Sequence, residues 1–281
     1  MAFRSFSKFK INTFPAIITN YFVCVITGSL YVGGSNISAQ LEQDISWLAA
    51  AVILGIVFVS TFYLMARTTQ LRGVAVATVA SKMSLAIPVI FSLFIFQIGT
   101  SSLDTWNYLG ILLAFLAILM VTKKGSNTES SSMALRNLGL PLLLFFMGGV
   151  IDTSLNYVNH HFLGPELEPI FPIFIFGFAF ITGLILAIIQ RIKVKWKDIL
   201  GGIYLGVPNY FSIYFQLKAL SAYDNNGALV YPSLNIGIIV FSTLAAIIFF
   251  HEKLSKLNWL GILLSVVVIF LLSHQEILSS L

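Results

Sequence analysis

Residues 229–273 read LVYPSLNIGIIVFSTLAAIIFFHEKLSKLNWLGILLSVVVIFLLS, two apolar runs joined by a bend that holds the stretch's only formal charges, Glu252, Lys253 and Lys256. A helix of about 20 residues rises roughly 30 Å, the thickness of the hydrocarbon core of a bilayer. Backbone in that core must satisfy its N–H and C=O groups internally, so only helices or closed barrels span it. Barrel strands alternate apolar and polar over about ten residues. These runs are continuous, so the stretch is a helical membrane hairpin. The rest of the chain is of the same kind: 58% of its 281 residues are hydrophobic and 10% charged, with a mean hydropathy of +0.92. Soluble domains carry roughly 25% charged residues.

The chain reads as an all-α integral membrane protein with nine transmembrane helices, at about 14–34, 46–66, 74–97, 106–122, 138–160, 169–190, 199–219, 227–250 and 258–273. Residues 1–13, MAFRSFSKFKINT, are too polar for a signal-peptide core and read as an interfacial lead-in. Basic residues fall on alternate connectors. Arg4, Lys8 and Lys10 precede the first span, Arg67 and Arg72 follow the second, and Lys123, Lys124 and Arg136 follow the fourth. Arg191, Lys193, Lys195 and Lys197 follow the sixth, and Lys253 and Lys256 the eighth. The other connectors carry Glu42, Asp44, Asp104, Glu166, Glu168 and Asp224. Because Lys and Arg near span ends stay in the cytoplasm, the N-terminus is expected inside and the C-terminus outside. This placement explains the net charge of +5 without a nucleic-acid partner. The single cysteine, Cys24, excludes an intrachain disulfide framework.

The hairpin has a counterpart. A shift of 151 positions lays Asn107-Tyr108-Leu109-Gly110-Ile111-Leu112-Leu113 on Asn258-Trp259-Leu260-Gly261-Ile262-Leu263-Leu264, and also Gly55 on Gly206, Tyr63 on Tyr214 and Arg67 on Lys218. The first and sixth spans align at an offset of 155, through Ile26-Thr27-Gly28 and Ile181-Thr182-Gly183. Five spans separate each segment from its copy, so the copies run in opposite directions, the inverted-repeat plan of many secondary transporters. Applied to the fifth span, the offset puts its counterpart ahead of Met1, so the first of the two five-helix repeats is expected to lack its first helix.

A span ending FFHEKLS, then NWLGILLSVVVIFLLS, resembles the end of an EamA-type repeat of the drug/metabolite transporter superfamily, where an acid after the penultimate helix precedes a Gly-containing last helix. Residues 68–113 match more loosely, and Ser101 stands where the shift expects the acid of Glu252. On this resemblance residues 1–124 are the first repeat, 125–137 a Ser-rich linker and 138–281 the second. The resemblance implies a transporter of small metabolites, with export the expected direction.

Polar groups at mid-span are costly and face a bundle interior or a cavity. Lys82 lies about ten residues into its span, roughly 15 Å deep. It suits an anionic or zwitterionic substrate or proton coupling; the alternatives are a structural ion pair or a stem that snorkels to a polar layer. In the fifth span Asp152, Asn156, Asn159 and His160 fall at i, i+4, i+7 and i+8, a stripe on one helix face. It suits a substrate, proton or ion pathway, or helix–helix hydrogen bonding, and Asp152 is also a candidate counter-ion for Lys82. Pro208 and Asn209 interrupt the seventh span, followed by Tyr210, Tyr214 and Gln216; Pro232 and Asn235 do so in the eighth, and Pro88 in the third. Proline leaves carbonyls unpaired, which serves a substrate or merely a kink. Asn20 and Tyr21 add a polar spot in the first span.

No enzymatic constellation accompanies these residues. His251-Glu252-Lys253-Leu254-Ser255 has Ser where a zinc-protease motif needs its second His, and His160-His161 lacks ligand spacing. There is no phosphate loop, and no metal or cofactor is expected. The sequence therefore points to a secondary transporter of the bacterial inner membrane, with a small-molecule substrate, the lipid bilayer as partner and no nucleic acid. Homo-oligomer formation stays open. The alternatives are a non-transporting assembly partner or receptor, and an intramembrane enzyme using Asp152 and His160.

Overall fold

The structure, a computed structural model, describes residues 2–41, 45–91, 104–122, 131–252 and 254–279. Ser101, Lys123, Lys124, Lys253 and residues 125–130 of the linker lie outside them. Among the described residues twelve helices follow one another: α1 (Ala2–Phe9), α2 (Thr13–Val32), α3 (Gly34–Leu41), α4 (Leu48–Arg72), α5 (Val74–Met83), α6 (Ala86–Ile90), α7 (Thr105–Thr122), α8 (Ser131–Phe162), α9 (Phe171–Ile189), α10 (Trp196–Ala222), α11 (Gly227–Phe250) and α12 (Lys256–Ser279). There is no strand among the described residues.

Among the described residues six helices are long and apolar enough to cross a membrane: α2, α4, α8, α9, α11 and α12. The chain is thus a multi-pass membrane protein. The other three expected spans are α10, whose apolar run is diluted by Asn209, Tyr210, Tyr214, Gln216 and Lys218, and the shorter apolar helices Val74–Ile90 and Thr105–Val121. Apolar side chains such as Phe241, Phe249 and Ile188 point outward, as a surface bathed in lipid requires. Part of the expected linker is helical, since α8 begins at Ser131.

The fold divides into two compact units, unit I of Ala2–Tyr63 and Ser154–Asn225, and unit II of Leu64–Thr153 and Asn226–Leu281. In unit I, α2 packs against both α9 and α10. Glycines set these contacts, because helices in lipid associate through close van der Waals fit. A methyl group on Gly206 would lie 2.6 Å from Val23 Cβ, and one on Gly55 2.7 Å from Phe178 Cβ. Likewise a methyl on Gly28 would lie 2.6 Å from Ile173, and one on Gly183 2.9 Å from Ile18. The contacts are reciprocal: positions 28 and 183, 18 and 173, and 23 and 178 each differ by 155, while 55 and 206 differ by 151. The lead-in is tied down by Asp198. Its buried carboxylate accepts from the Asn12 backbone N–H (2.7 Å), the Asn12 amide (3.1 Å) and the Lys195 N–H (2.9 Å), which caps α10.

In unit II, α7 and α12 lie antiparallel. The Asn107 amide donates to the carbonyl of Leu272 (3.0 Å) at the far end of α12, and Gly110 packs against the same turn. The Asn258 amide donates to the carbonyl of Val121 (2.7 Å), and Gly261 packs there. Each asparagine sits at the third helical position and exchanges bonds with its N-cap. Asp104 N–H donates to Asn107 Oδ1 (2.9 Å), and Ser255 N–H to Asn258 Oδ1 (2.9 Å). The Glu252 carboxylate accepts from the N–H groups of Val74 (2.7 Å) and Ala75 (3.4 Å), so the acid of the hairpin bend caps the start of α5.

Candidate functional site

The expected third span is not one helix. α5 stops at Met83, one residue past Lys82, and α6 resumes at Ala86, two residues before Pro88. Two sequence features make the break. The Ser84 hydroxyl donates back to the Ser81 carbonyl, an alternative to the helical ladder, and Pro88 has no N–H to give the carbonyl of Ser84. The broken segment lies close against α8, where a methyl on Gly148 would sit 2.9 Å from Ser84 Oγ and one on Gly149 would collide with Ile87.

One turn after this glycine pair comes Asp152, and α11 reaches both elements. Tyr231 Oη donates to the backbone carbonyl of Asp152 (2.6 Å), and Asn235 Nδ2 donates to the backbone carbonyl of Lys82 (3.3 Å). Tyr231 and Asn235 are one helical turn apart, on either side of Pro232, so one face of α11 joins α5 to α8. Lys82, Asp152 and Asn235 are therefore brought together in unit II. The side chains of Lys82 and Asp152 are half-buried, and Asn235 is buried. Among the described residues the Lys82 ammonium takes part in no ion pair or hydrogen bond, so the pairing with Asp152 weighed from the sequence is not formed. The arrangement sets a cation, an amide and a break in the helical ladder side by side in an apolar setting. Chemically, such a combination is suited to a polar or anionic group, through charge and hydrogen bonds.

The other candidates lie in unit I. Asn156 is fully buried, and neither its Nδ2 nor its Oδ1 has a hydrogen-bond partner. Asn159, on the same face, is a clip: its Nδ2 faces the Leu217 carbonyl (3.3 Å), Ser221 Oγ (3.0 Å) and Asn225 Oδ1 (2.6 Å). His160 departs from the stripe and is exposed, its ring beside that of His161. Asn209 donates to Asn20 Oδ1 (3.2 Å), and the Cys24 thiol donates to the Gly206 carbonyl (3.2 Å), forming a buried polar knot between α2 and α10. Tyr210 donates to the Pro169 carbonyl (2.8 Å), and Tyr214 meets Tyr31 with its hydroxyl at 3.5 Å.

Sequence reasoning passed over Tyr231, Ser84 and the Gly148-Gly149 pair. The signal was present: two adjacent glycines one turn ahead of a mid-span acid, and a tyrosine beside a mid-span proline. No group of three or more His, Cys, Asp or Glu side chains that could hold a metal ion occurs among the described residues.

No protein-family model matches the chain. An uncharacterized protein of Haemophilus influenzae is 31% identical to it over 241 residues, covering 85% of this chain and 78% of that protein. A solved crystal structure superposes with a TM-score of 0.59 at 14% identity, covering 94% of this chain and 88% of the other, a likeness of fold alone.

Proposed function

The chain belongs to the family of that Haemophilus influenzae protein, and we propose that it is a secondary transporter of the EamA type, moving a small metabolite across the bacterial inner membrane. The observation that carries this reading is the helix break beside Lys82. A broken membrane helix with a mid-span charge and unwound backbone is how secondary transporters build a site near the bilayer centre. Lys82 would hold an anionic group of the substrate, Asn235 would orient it, and the glycine pair of α8 keeps the break close to Asp152.

Nine spans in two inverted repeats fit the same reading. The reciprocal pairs Asn107–Leu272 and Asn258–Val121 support it, as do Gly28–Ile173 and Gly183–Ile18, because an inverted repeat makes each contact twice. Under the 151 shift Lys82 matches Ser233, two residues before Asn235. The contact between α5 and α11 then joins a helix of one repeat to its counterpart in the other. Movement of one repeat against the other would expose this contact to each side of the membrane in turn.

The test compares cells producing the wild-type chain with cells producing Lys82→Gln, by profiling the small metabolites in the medium. A metabolite enriched by the first and not by the second is the expected result. Equal enrichment removes Lys82 from the site. If no metabolite is enriched, and purified protein in liposomes moves none of a panel of labelled amphipathic metabolites, the transporter reading fails.

A further inference from the structure

Asn12 and Asp198, 186 residues apart, join the lead-in to the start of α10 within unit I. An apolar contact reinforces the junction, because a methyl on Gly201 of α10 would lie 3.1 Å from both Phe6 and Ile11. The Phe3 ring meets those of Phe6 (5.7 Å) and Phe62 (6.0 Å) edge-on, so α1 is seated on the bundle by its aromatic side. The residues that end it, Ser7 to Lys10, are exposed. On the other side of the same carboxylate, the turn from α9 to α10 presents Arg191, Lys193, Lys195 and Lys197, all exposed. Asp198 therefore gathers onto one edge two basic stretches that the sequence keeps far apart.

The chain does not neutralise that edge. Residues 1–41 and 169–197 contain no Asp or Glu, and the Asp198 carboxylate is buried and engaged with three N–H groups. Among the described residues none of Lys8, Lys10, Arg191, Lys193, Lys195 and Lys197 takes part in an ion pair. Like charges gathered without counter-ions create a positive field that draws an anion. Two aromatic rings stand among them, Phe9 at 59% exposed and Trp196 at 68%. The edge also lies at the start of α2 and the end of α9, two helices that cross the membrane, which is the level of the headgroups. A soluble anion would leave both rings in water, whereas a headgroup layer covers them.

We propose that this edge of unit I is a docking surface for the headgroups of anionic phospholipids, with the phosphate held between the end of α1 and the α9–α10 turn. Phe9 and Trp196 enter the headgroup layer beside it, and the basic side chains supply the charge. The surface is separate from the break beside Lys82 and does not depend on transport.

The test places the purified full chain in phosphatidylcholine vesicles holding a small fraction of phosphatidylglycerol brominated near the top of its acyl chains, where bromine quenches nearby tryptophan. The Trp196 signal is the emission of the wild-type chain less that of Trp196→Phe. Mole for mole, brominated phosphatidylglycerol should quench it about tenfold more than brominated phosphatidylcholine, a preference that shrinks in about 0.5 M sodium chloride. The preference falls several-fold in Lys8→Gln/Lys10→Gln and nearly vanishes in Lys193→Gln/Lys195→Gln/Lys197→Gln. These side chains are exposed, and the backbone N–H of position 195 that Asp198 accepts survives the change. Lys218→Gln, at an exposed position near the other end of α10, leaves the preference unaltered. Equal quenching by the two lipids overturns the proposal, as does wild-type preference in the triple variant or its loss in Lys218→Gln. Relief of the quenching by millimolar glycerol phosphate assigns the surface to a soluble anion and overturns the lipid.

Discussion

Asn107 and Asn258, 151 residues apart, make the same bond from opposite ends of one helix pair. The first amide donates to the Leu272 carbonyl at 3.0 Å and the second to the Val121 carbonyl at 2.7 Å. Val121 lies in the last turn of α7, where carbonyls lack a helical donor, whereas Leu272 lies inside α12, seven residues before its end.

Substituting either asparagine by leucine removes both this bond and the reciprocal cap on its own helix. Each change is expected to cost about 1–3 kcal/mol, since the N–H of Asp104 or Ser255 loses its acceptor together with the bond across the helix pair. The two costs should be similar. Thermal unfolding of the purified variants checks this, and a large cost at one position with none at the other would break the equivalence of the two contacts.

Gly55 and Gly206 are points of close helix approach in unit I, with neighbours 2.7 Å and 2.6 Å from an added methyl. Leucine at either position should destabilise by about 1–3 kcal/mol or more through overpacking. Gly34 and Gly139 have nothing within 4 Å and should accept leucine without loss. Monodispersity after heating, followed by size exclusion, separates the two groups.

Tyr231→Phe deletes the 2.6 Å bond to the Asp152 carbonyl, and Asn235→Leu the 3.3 Å bond to the Lys82 carbonyl. Each bond is worth about 1 kcal/mol to the fold. If α11 positions the break, transport by both variants falls about tenfold while Lys82→Gln abolishes it, as a positioning error and the loss of a ligand contact would do. Initial rates in liposomes at saturating and limiting substrate distinguish the cases.

Asp104 gives a pH dependence with a definite sign. Desolvation pulls its carboxyl up, but the Asn107 N–H, the Gln275 side chain and the His274 ring, 3.1 Å from Oδ2, outweigh this and hold it below its ordinary value of 3.8. A carboxyl depressed in the folded state binds fewer protons there than in the unfolded chain. Its contribution is therefore complete above the unfolded value and is lost as pH falls through the folded one. The melting temperature of wild-type protein should exceed that of Asp104→Asn at pH 6, and the gap should narrow as pH is lowered below 3.8.

The Glu252 carboxylate shows how a motif's meaning waits on its surroundings. As sequence, HEKLS is an acid at a hairpin bend. In the fold that acid caps α5 at Val74, 178 residues earlier in the chain, so its role there is structural. The candidate stripe of α8 divides in the same way. Asn156 and Asn159 are buried, and His160, at the next position, is exposed. Helical spacing fixes which residues share a face, but the width of the covered strip depends on what packs there.

The sequence by itself determined the helical membrane class, the approximate positions of the helices and the matching of Asn107 with Asn258 and Gly55 with Gly206. These follow from the length of apolar runs, the cost of charge in lipid and the chain's likeness to itself, all of which act locally. Only the tertiary structure decided that the third span breaks beside Lys82 and that Tyr231 and Asn235 tie the break to Asp152. Those facts arise from contacts between residues as far apart as 153 positions, and the direction in which a neighbouring helix arrives is not encoded in the segment it meets.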